Sequence, residues 1–269
     1  MEAGTLAVPG AELYYELRGS GPVLLLVNGG EGDAGAFAPL AALLADHYTV
    51  ITYDPRGNSR SRLTSPIGEQ RIPQHARDAH LLLRALCREP AYLFGTSYGG
   101  MVVMDLLAAR PEQVRAAVAH EPLLIELLPD ADRWHAAFQE VYETYEREGA
   151  PAAVRALSAL LGVAAPPEAS AGLPPPVADM LARVQANMSF CVAYELRSFV
   201  RYVPDLEALR GGKFTLATGG ETGSTVGHRT ALALAEELGL DIAGFPGGHV
   251  GFLTHPAEFA KTLYEVLES

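Results

Sequence analysis

The segment Ala91–Gly100 reads AYLFGTSYGG and joins a short apolar run to the start of a helical pattern. The run AYLFG is typical of a strand buried on both faces, and the helical pattern continues over Tyr98–Arg110. Ser97 stands at the junction in the pattern G-x-S-x-G. A strand that turns at once into a helix needs small neighbours, which Gly95 and Gly99 provide. The segment therefore predicts a strained turn that lifts the serine hydroxyl to a helix N-terminus.

The same alternation of strand and helix extends to both sides of this segment. Predicted strands are Thr5–Val8, Glu12–Leu17, Pro22–Val27, Tyr48–Tyr53, Ala91–Gly95, Val114–His120, Lys213–Thr218 and Asp241–Phe245. Predicted helices are Ala36–Asp46, Gln74–Cys87, Tyr98–Arg110, His228–Leu238 and Pro256–Leu267. This order predicts an α/β fold with a mostly parallel eight-stranded sheet and helices on both faces.

One long stretch interrupts the alternation. Residues 122–209 follow a helical pattern without a clear strand, between the sixth and seventh predicted strands. We therefore expect a core domain built from residues 1–121 and 210–269, with residues 122–209 as a helical insertion.

Several polar residues follow predicted strands directly. Ligands of parallel α/β sheets bind beyond the carboxyl ends of the strands, so these positions are candidates for a site. They are Asn28, Asp54, Ser97, Glu121, Glu221 and His249.

His249 lies in the Gly-rich segment Phe245–Phe252, after the last predicted strand. Histidine can take and return a proton near neutral pH, so His249 is the candidate general base for Ser97. His120 precedes Glu121 and is a candidate for lining the pocket. Five other histidines are interpreted as surface or capping residues: His47, His75, His80, His135 and His228.

Composition narrows the function classes. The 269 residues are 49% hydrophobic, which suits one sizeable core, and the formal net charge is −12. Such an acidic chain is expected to bind neither nucleic acid nor anionic membranes. Cys87 and Cys191 have no metal-type or redox spacing, and the N-terminus lacks a signal-peptide pattern. We expect a soluble cytoplasmic protein without metal or organic cofactor; its oligomeric state stays open, with a homodimer as one option.

Together these segments resemble the α/β-hydrolase fold family along nearly the whole chain. Besides the Ser97 turn and the His249 segment, the resemblance rests on Asn28–Gly30 (NGG) and Asp54–Ser61 (DPRGNSRS). The second segment is similar to the family's D-x-R-G-x-G-x-S, with Asn58 in place of a glycine. The family usually has His-Gly-x where Asn28 begins the first segment, and an amide can still bond the neighbouring backbone.

The resemblance implies roles for these residues. Ser97 is the expected nucleophile and His249 its general base, while Asp54 is expected to brace loops. The backbone N–H groups of Gly30 and Tyr98 are the expected oxyanion hole. Residues 122–209 fall where this family inserts a helical lid.

The acid that would orient His249 is not settled by the sequence. The family usually places an aspartate after the seventh strand, but Thr218–Ser224 (TGGETGS) has none, and Thr222 falls about there. Glu121 is the favoured substitute, because a strand end holds a carboxylate more rigidly than a Gly-rich loop. Glu221 is the alternative, and an enzyme without a strong acid remains a third option.

The implied reaction is hydrolysis of a small apolar or aromatic carboxylic ester, lactone or thioester through an acyl-enzyme. Aromatic and methionine residues of the lid would favour such a substrate: Trp134, Phe138, Tyr142, Tyr145, Met180, Met188, Phe190, Tyr194, Phe199 and Tyr202. Most of these are expected to pack the lid onto the core. Two alternatives remain: cofactor-free lyase, perhydrolase or oxygenase chemistry on the same fold, or a ligand receptor without turnover.

Overall fold

The apolar run Val23–Val27 forms a strand inside the sheet, as its uninterrupted hydrophobic character predicts. The computed structural model describes residues 1–30, 32–163, 173–211 and 213–269. The strands are β1 (Glu2–Val8), β2 (Ala11–Arg18), β3 (Val23–Val27), β4 (Thr49–Tyr53), β5 (Arg62–Leu63), β6 (Ala91–Thr96), β7 (Val114–His120), β8 (Phe214–Gly219) and β9 (Ile242–Phe245). The helices are α1 (Ala38–Leu44), α2 (Ile72–Leu86), α3 (Tyr98–Ala109), α4 (Ala131–Glu148), α5 (Ala150–Leu161), α6 (Pro175–Phe190), α7 (Leu196–Phe199), α8 (Leu206–Leu209), α9 (Val226–Leu238), α10 (Gly251–Thr254) and α11 (Pro256–Leu267).

The strands form one sheet in the order β1-β2-β4-β3-β6-β7-β8-β9. β1, β2 and β4 pair antiparallel, and every pair from β4–β3 to β8–β9 is parallel. These eight strands correspond to the eight predicted ones. The ninth, β5, pairs with β2 and was not predicted, because two residues are too few to show an alternating pattern.

The two faces of the sheet carry separate apolar cores. Leu24 and Leu26 of β3 pack in the core formed with α1 and α11, whereas Leu25 and Val27 pack in the core formed with α2, α3 and α9. Successive side chains of a strand point to opposite faces, so a wholly apolar strand supplies both cores. This confirms the predicted arrangement of helices on both faces.

The segment between β7 and β8 contains α4–α8 and, in its described residues, no strand. Residues 164–172 of the predicted insertion lie outside the described residues. A π-helical turn, Cys191–Glu195, joins α6 to α7. Such turns are rare and are frequently found at functional sites.

Strand pairing brings two of the candidate site residues to one edge. β6 and β7 are parallel neighbours, with Thr96 opposite His120. The next residue of each strand is Ser97 and Glu121, and the backbone N–H of Ser97 donates to the carbonyl of His120 at 2.9 Å. The candidate nucleophile and a candidate acid therefore leave adjacent strands at the same edge.

Candidate active site

Ser97 occupies a strained turn between β6 and α3. Its backbone has φ 54° and ψ −123°, a conformation that side-chain-bearing residues rarely adopt. A Cβ at Gly95 would stand 2.2 Å from the carbonyl oxygen of Gly99, and one at Gly99 would stand 2.1 Å from that of Val27. Both glycines are therefore needed for the close approach of strand and helix, as the sequence pattern predicts.

His249 and Glu121 form a short hydrogen bond beside this turn. His249 Nδ1 lies 2.6 Å from Glu121 Oε2. The other carboxylate oxygen, Oε1, accepts hydrogen bonds from the backbone N–H of Gly219 at 2.9 Å and from Thr222 Oγ1 at 2.5 Å. Burial would raise the pKa of Glu121, but the hydrogen bond and charge of His249 and the hydrogen bond of Thr222 lower it to about 2. The carboxylate is thus held ionised against the imidazole.

The second candidate acid, Glu221, lies elsewhere. Its side chain is exposed, and its backbone N–H donates to the carbonyl of Gly247 at 2.9 Å. Of the two glutamates left open by the sequence, Glu121 is the one that contacts His249. Thr222, near the position where an aspartate is usual, donates to Glu121 instead of accepting from the histidine.

The NGG loop after β3 is held by the Asn28 amide. Its Nδ2 donates to the carbonyl of Asp33 at 2.9 Å, and its Oδ1 accepts from the N–H of Gly29 at 2.9 Å. The amide thus fixes the backbone on both sides of Gly30. Gly30 and Tyr98 line the same cavity, as expected for two backbone donors that serve one oxyanion.

That cavity also receives Ser97 and His249, and we call it the catalytic cavity. It encloses about 60 Å³. The hydrogen bonds within the described part of the chain do not include one from Ser97 Oγ to His249. Such bonds are often long without substrate and tighten in the complex.

The remaining walls of the catalytic cavity are mostly aliphatic. Helices α5 and α6 and the segments that follow them contribute most of this surface, which comprises Leu157, Leu161, Val163, Met188 and Val250. Of the aromatic and methionine residues that the sequence singled out in the predicted insertion, all of them described, Met188 alone lines the cavity. The aromatic side chains pack elsewhere; Phe138, for example, is 1% exposed within the core.

Asp54 braces the neighbouring loops. Its fully buried carboxylate accepts from the backbone N–H of Ala34 at 2.7 Å and from that of Arg60 at 2.9 Å. The guanidinium of Arg60 adds hydrogen bonds at 2.7 and 2.9 Å. These contacts tie the segments after β3 and β4 together, which is the structural role expected of Asp54.

His120 is buried behind the site rather than in the cavity. Its ring is 0% exposed and its centroid lies 6.5 Å from that of His249. Burial lowers the pKa of His120 to about 4, against the raising effect of Glu121. The expectation that His120 lines the pocket is wrong. Its ring packs instead against the aromatic rings of Phe94 and Phe259.

Two further properties concern the described ranges as a whole. They hold no group of three or more His, Cys, Asp or Glu side chains that could bind a metal ion. None of the helices found there has the length and apolar character that crossing a bilayer requires.

Comparison with known proteins identifies the family of this chain. Residues 22–256 match the family described as alpha/beta hydrolase fold. The uncharacterized hydrolase YraK of Bacillus subtilis (strain 168) is 36% identical over 271 residues, covering 98% of this chain and 96% of YraK. A zearalenone hydrolase of Bionectria ochroleuca is 28% identical across 98% of this chain and 97% of its own length.

Solved structures agree at the level of fold. A thermophilic esterase from Thermogutta terrifontis superposes with a TM-score of 0.76 at 20% identity, covering 100% of this chain and 98% of that one. The family match spans both β3 and His249, and therefore every candidate site residue. The chain belongs to the alpha/beta hydrolase fold family and is a hydrolase.

Proposed function

We propose that this protein is a serine hydrolase that cleaves a small apolar carboxylic ester, lactone or thioester through an acyl-enzyme. The observation that carries the proposal is the 2.6 Å contact between His249 Nδ1 and Glu121, beside a cavity that Ser97 also lines. A carboxylate on one ring nitrogen leaves the other nitrogen free to serve the nucleophile.

The reaction follows from these positions. His249 Nε2 takes the proton of Ser97 Oγ as the oxygen attacks the substrate carbonyl, and Glu121 stabilises the resulting imidazolium. The backbone N–H groups of Gly30 and Tyr98 stabilise the oxyanion, a donor of this kind being worth roughly 10²- to 10³-fold in kcat. His249 then protonates the leaving group, and water repeats the sequence on the acyl-enzyme to release the acid and restore Ser97.

The catalytic cavity supports a small apolar acyl group as substrate. Its aliphatic walls favour burial of hydrocarbon, and apart from the reacting groups they offer few polar partners, such as Ser158 and Cys191. Residues 122–209 act as the lid of this cavity, since α5, α6 and the π-helical turn supply Leu157, Met188 and Cys191. Residues 1–121 and 210–269 form the core domain beneath it.

The names of two similar proteins point the same way. One relative is called a zearalenone hydrolase and one structural neighbour a thermophilic esterase. Both names fit a hydrolytic reaction, and neither fixes the substrate of this chain.

Replacing the nucleophile tests the proposal. Ser97→Ala is expected to lower the kcat for p-nitrophenyl acetate by about 10⁴-fold or more, since the hydroxyl is the attacking group. Ser20→Ala removes an exposed serine between β2 and β3 and should leave turnover unchanged. A fluorophosphonate probe should label the wild type and Ser20→Ala but not Ser97→Ala.

Other results would replace the proposal. Turnover that survives in Ser97→Ala excludes the acyl-enzyme. Turnover without labelling of Ser97 by the probe indicates lyase or oxygenase chemistry at the same pocket. Tight binding of an ester without any turnover indicates a receptor.

A further inference from the structure

A second cavity adjoins the residues of the expected oxyanion hole. It encloses about 10 Å³, and its lining includes Asn28, Gly29, Tyr98, Asn58, His75 and Glu195. We call it the rear cavity. Tyr98 lines both the rear cavity and the catalytic cavity, so the two are neighbours.

The walls of the rear cavity carry buried polar atoms that lack partners. Tyr98 Oη and His75 Nε2 are buried and have no hydrogen-bond partner among the described residues. Each residue is 5% exposed. A buried hydroxyl or ring nitrogen without a partner is destabilising, so native structures rarely leave such atoms unsatisfied.

Glu195 contributes a carboxylate to the same space. It belongs to the π-helical turn, is 5% exposed, and accepts from Asn58 Nδ2 at a long 3.3 Å. Its Oε1 lies 3.9 Å from His75 Nε2, which is too far for a direct hydrogen bond. A separation of this size between two polar groups is one that a bridging water spans.

The size of the rear cavity fits one such molecule. To hold one water molecule, a cavity must enclose about 10–15 Å³ and offer two to four hydrogen-bonding partners. Water donates as well as accepts, so it can serve a phenol, a carboxylate and either tautomer of a histidine. The rear cavity meets each of these requirements.

We propose that the rear cavity binds one structural water, held by Tyr98 Oη, His75 Nε2 and the Glu195 carboxylate, and that Glu195 is a positioning residue for the oxyanion hole. The bound water does not depend on the proposed function, whereas the positioning role of Glu195 rests on it. Glu195 acts through Tyr98, which lines both cavities and is one of the two expected oxyanion donors. Gly29, which also lines the rear cavity, precedes Gly30, the other expected donor.

The charge of Glu195 makes this role measurable. Burial raises the pKa of Glu195 to about 7, against the lowering effect of hydrogen bonds from Asn58 and Cys191. The ionised carboxylate accepts from water and from Asn58 more strongly than the neutral acid does. The water is therefore held more firmly above pH 7 than below it.

Other charged or titratable groups face Glu195 from each element packed around it. They are Cys191 of its own turn, His75 of α2, Tyr98 of α3, Tyr53 of β4 and the Arg56–Asp78 ion pair beside His75. Burial raises the pKa of both tyrosines and lowers that of His75 to about 3, so these three stay neutral near pH 7. The ion pair is closed by contacts of 2.6 Å between Arg56 and Asp78.

A high-resolution crystal structure tests the water directly. We expect an ordered water at about 2.7–3.2 Å from both Tyr98 Oη and His75 Nε2 in the wild type. In Tyr98→Phe the water should lose occupancy while the ring stays in place. If the wild-type structure shows no water density in the rear cavity, or if its side chains close the cavity, the proposed water site is wrong. This result does not depend on whether the protein hydrolyses anything.

Kinetics of Glu195→Gln test the positioning role. The amide keeps the shape and removes the charge, so kcat for p-nitrophenyl acetate should fall by about 3- to 30-fold, with KM unchanged. That is less than the roughly 100-fold loss expected when an oxyanion donor is removed outright. Glu207→Gln, on an exposed glutamate of α8, is the matched control.

The pH dependence separates positioning from a merely structural effect. The ratio of wild-type to Glu195→Gln kcat should be larger at pH 8 than at pH 6. Both proteins share every other titratable group, so the ratio isolates position 195. A ratio that does not change with pH overturns the positioning role. If Glu195→Gln fails to fold, Tyr98→Phe provides the second variant, with the same loss of kcat at constant KM expected.

Discussion

Two buried glutamates lie near the candidate active site, Glu121 beside His249 and Glu195 in the lining of the rear cavity, and they differ in their hydrogen bonds. Glu121, at the end of β7, is 0% exposed and receives three donors at 2.5–2.9 Å, from His249, Thr222 and the backbone of Gly219. Glu195, in the π-helical turn, is 5% exposed and receives two donors, Asn58 at 3.3 Å and the thiol of Cys191.

This difference sets the ionisation of the two carboxyls. Burial raises the pKa in both cases, but at Glu121 the donors reverse the effect and bring the pKa to about 2. At Glu195 burial prevails and the pKa is about 7. Burial alone therefore does not say whether a carboxyl is charged; the number and length of its hydrogen bonds decide. Glu121 is therefore an anion at neutral pH, whereas Glu195 changes its charge near neutral pH.

The largest expected effect comes from removing the negative charge of Glu121. Glu121→Gln should lower kcat for p-nitrophenyl acetate by about 10⁴-fold, because the amide cannot stabilise the imidazolium of His249. Steady-state kinetics at pH 8 check this, with circular dichroism to confirm folding.

The matched control is Glu221→Gln, at the exposed glutamate that the sequence left as an alternative. Its turnover should stay within about two-fold of the wild type, as for most surface substitutions. A large loss in Glu221→Gln with little change in Glu121→Gln would reverse the assignment of the acid.

The next largest effect concerns the free energy of unfolding, which Glu121 and Glu195 should make depend on pH in opposite directions. The folded-state pKa of Glu121 is about 2, below its ordinary 4.5. Its stabilisation is complete above pH 4.5 and is lost as the pH falls from 4.5 to 2. By linkage this amounts to about 3 kcal/mol of unfolding free energy. The wild type should therefore lose its advantage over Glu121→Gln on acidification.

Glu195 should behave in the reverse manner. Its folded-state pKa of about 7 lies above the ordinary 4.5, so the unfolded chain ionises first as the pH rises. The wild type should lose about 3 kcal/mol relative to Glu195→Gln between pH 4.5 and 7, and nothing further above that. Urea unfolding from about pH 2 to about pH 8 measures both differences; parallel slopes for the two variants would contradict the comparison.

The smallest effect concerns a single donor to Glu121. Thr222→Val removes the hydroxyl that donates at 2.5 Å and keeps the shape of the side chain. We expect a loss of about 2 kcal/mol of unfolding free energy at neutral pH, as for a hydrogen bond to a charged group. Thr222→Ser keeps the donor and should retain most of that stability. Equal stability of Thr222→Val and the wild type would show that Glu121 does not need this donor.

Local patterns predicted the fold and part of the candidate site. Apolar runs such as Val23–Val27 show strands buried on both faces, and the glycines around Ser97 show the tight turn, because both signals lie within a few neighbouring residues. The two-residue strand β5 carries no such signal. For the acid, the sequence left Glu121, Glu221 or no strong acid open, and the contact of Glu121 with His249 is known only from the structure.

Other parts of the molecule depend on contacts between distant segments. Thr222 reads as an ordinary loop residue until β8 and β7 bring it to Glu121, 101 residues away along the chain. His75 lies in a helical pattern that suggests a surface or capping residue, yet it is buried and its ring packs against Phe199. Glu195 gave no signal, since a charged residue in a helical pattern usually faces solvent.

The pairing of Thr96 with His120 has a consequence for heat inactivation. Ser97 and Glu121 are each one peptide unit beyond that pair, so their spacing is set by two neighbouring strands inside the sheet. It can change only when β6 parts from β7, an event that belongs to cooperative melting of the whole core. His249 instead follows β9, an edge strand, and is the group that a local fluctuation can displace first. Warming should therefore uncouple the imidazole before it disturbs the other two groups.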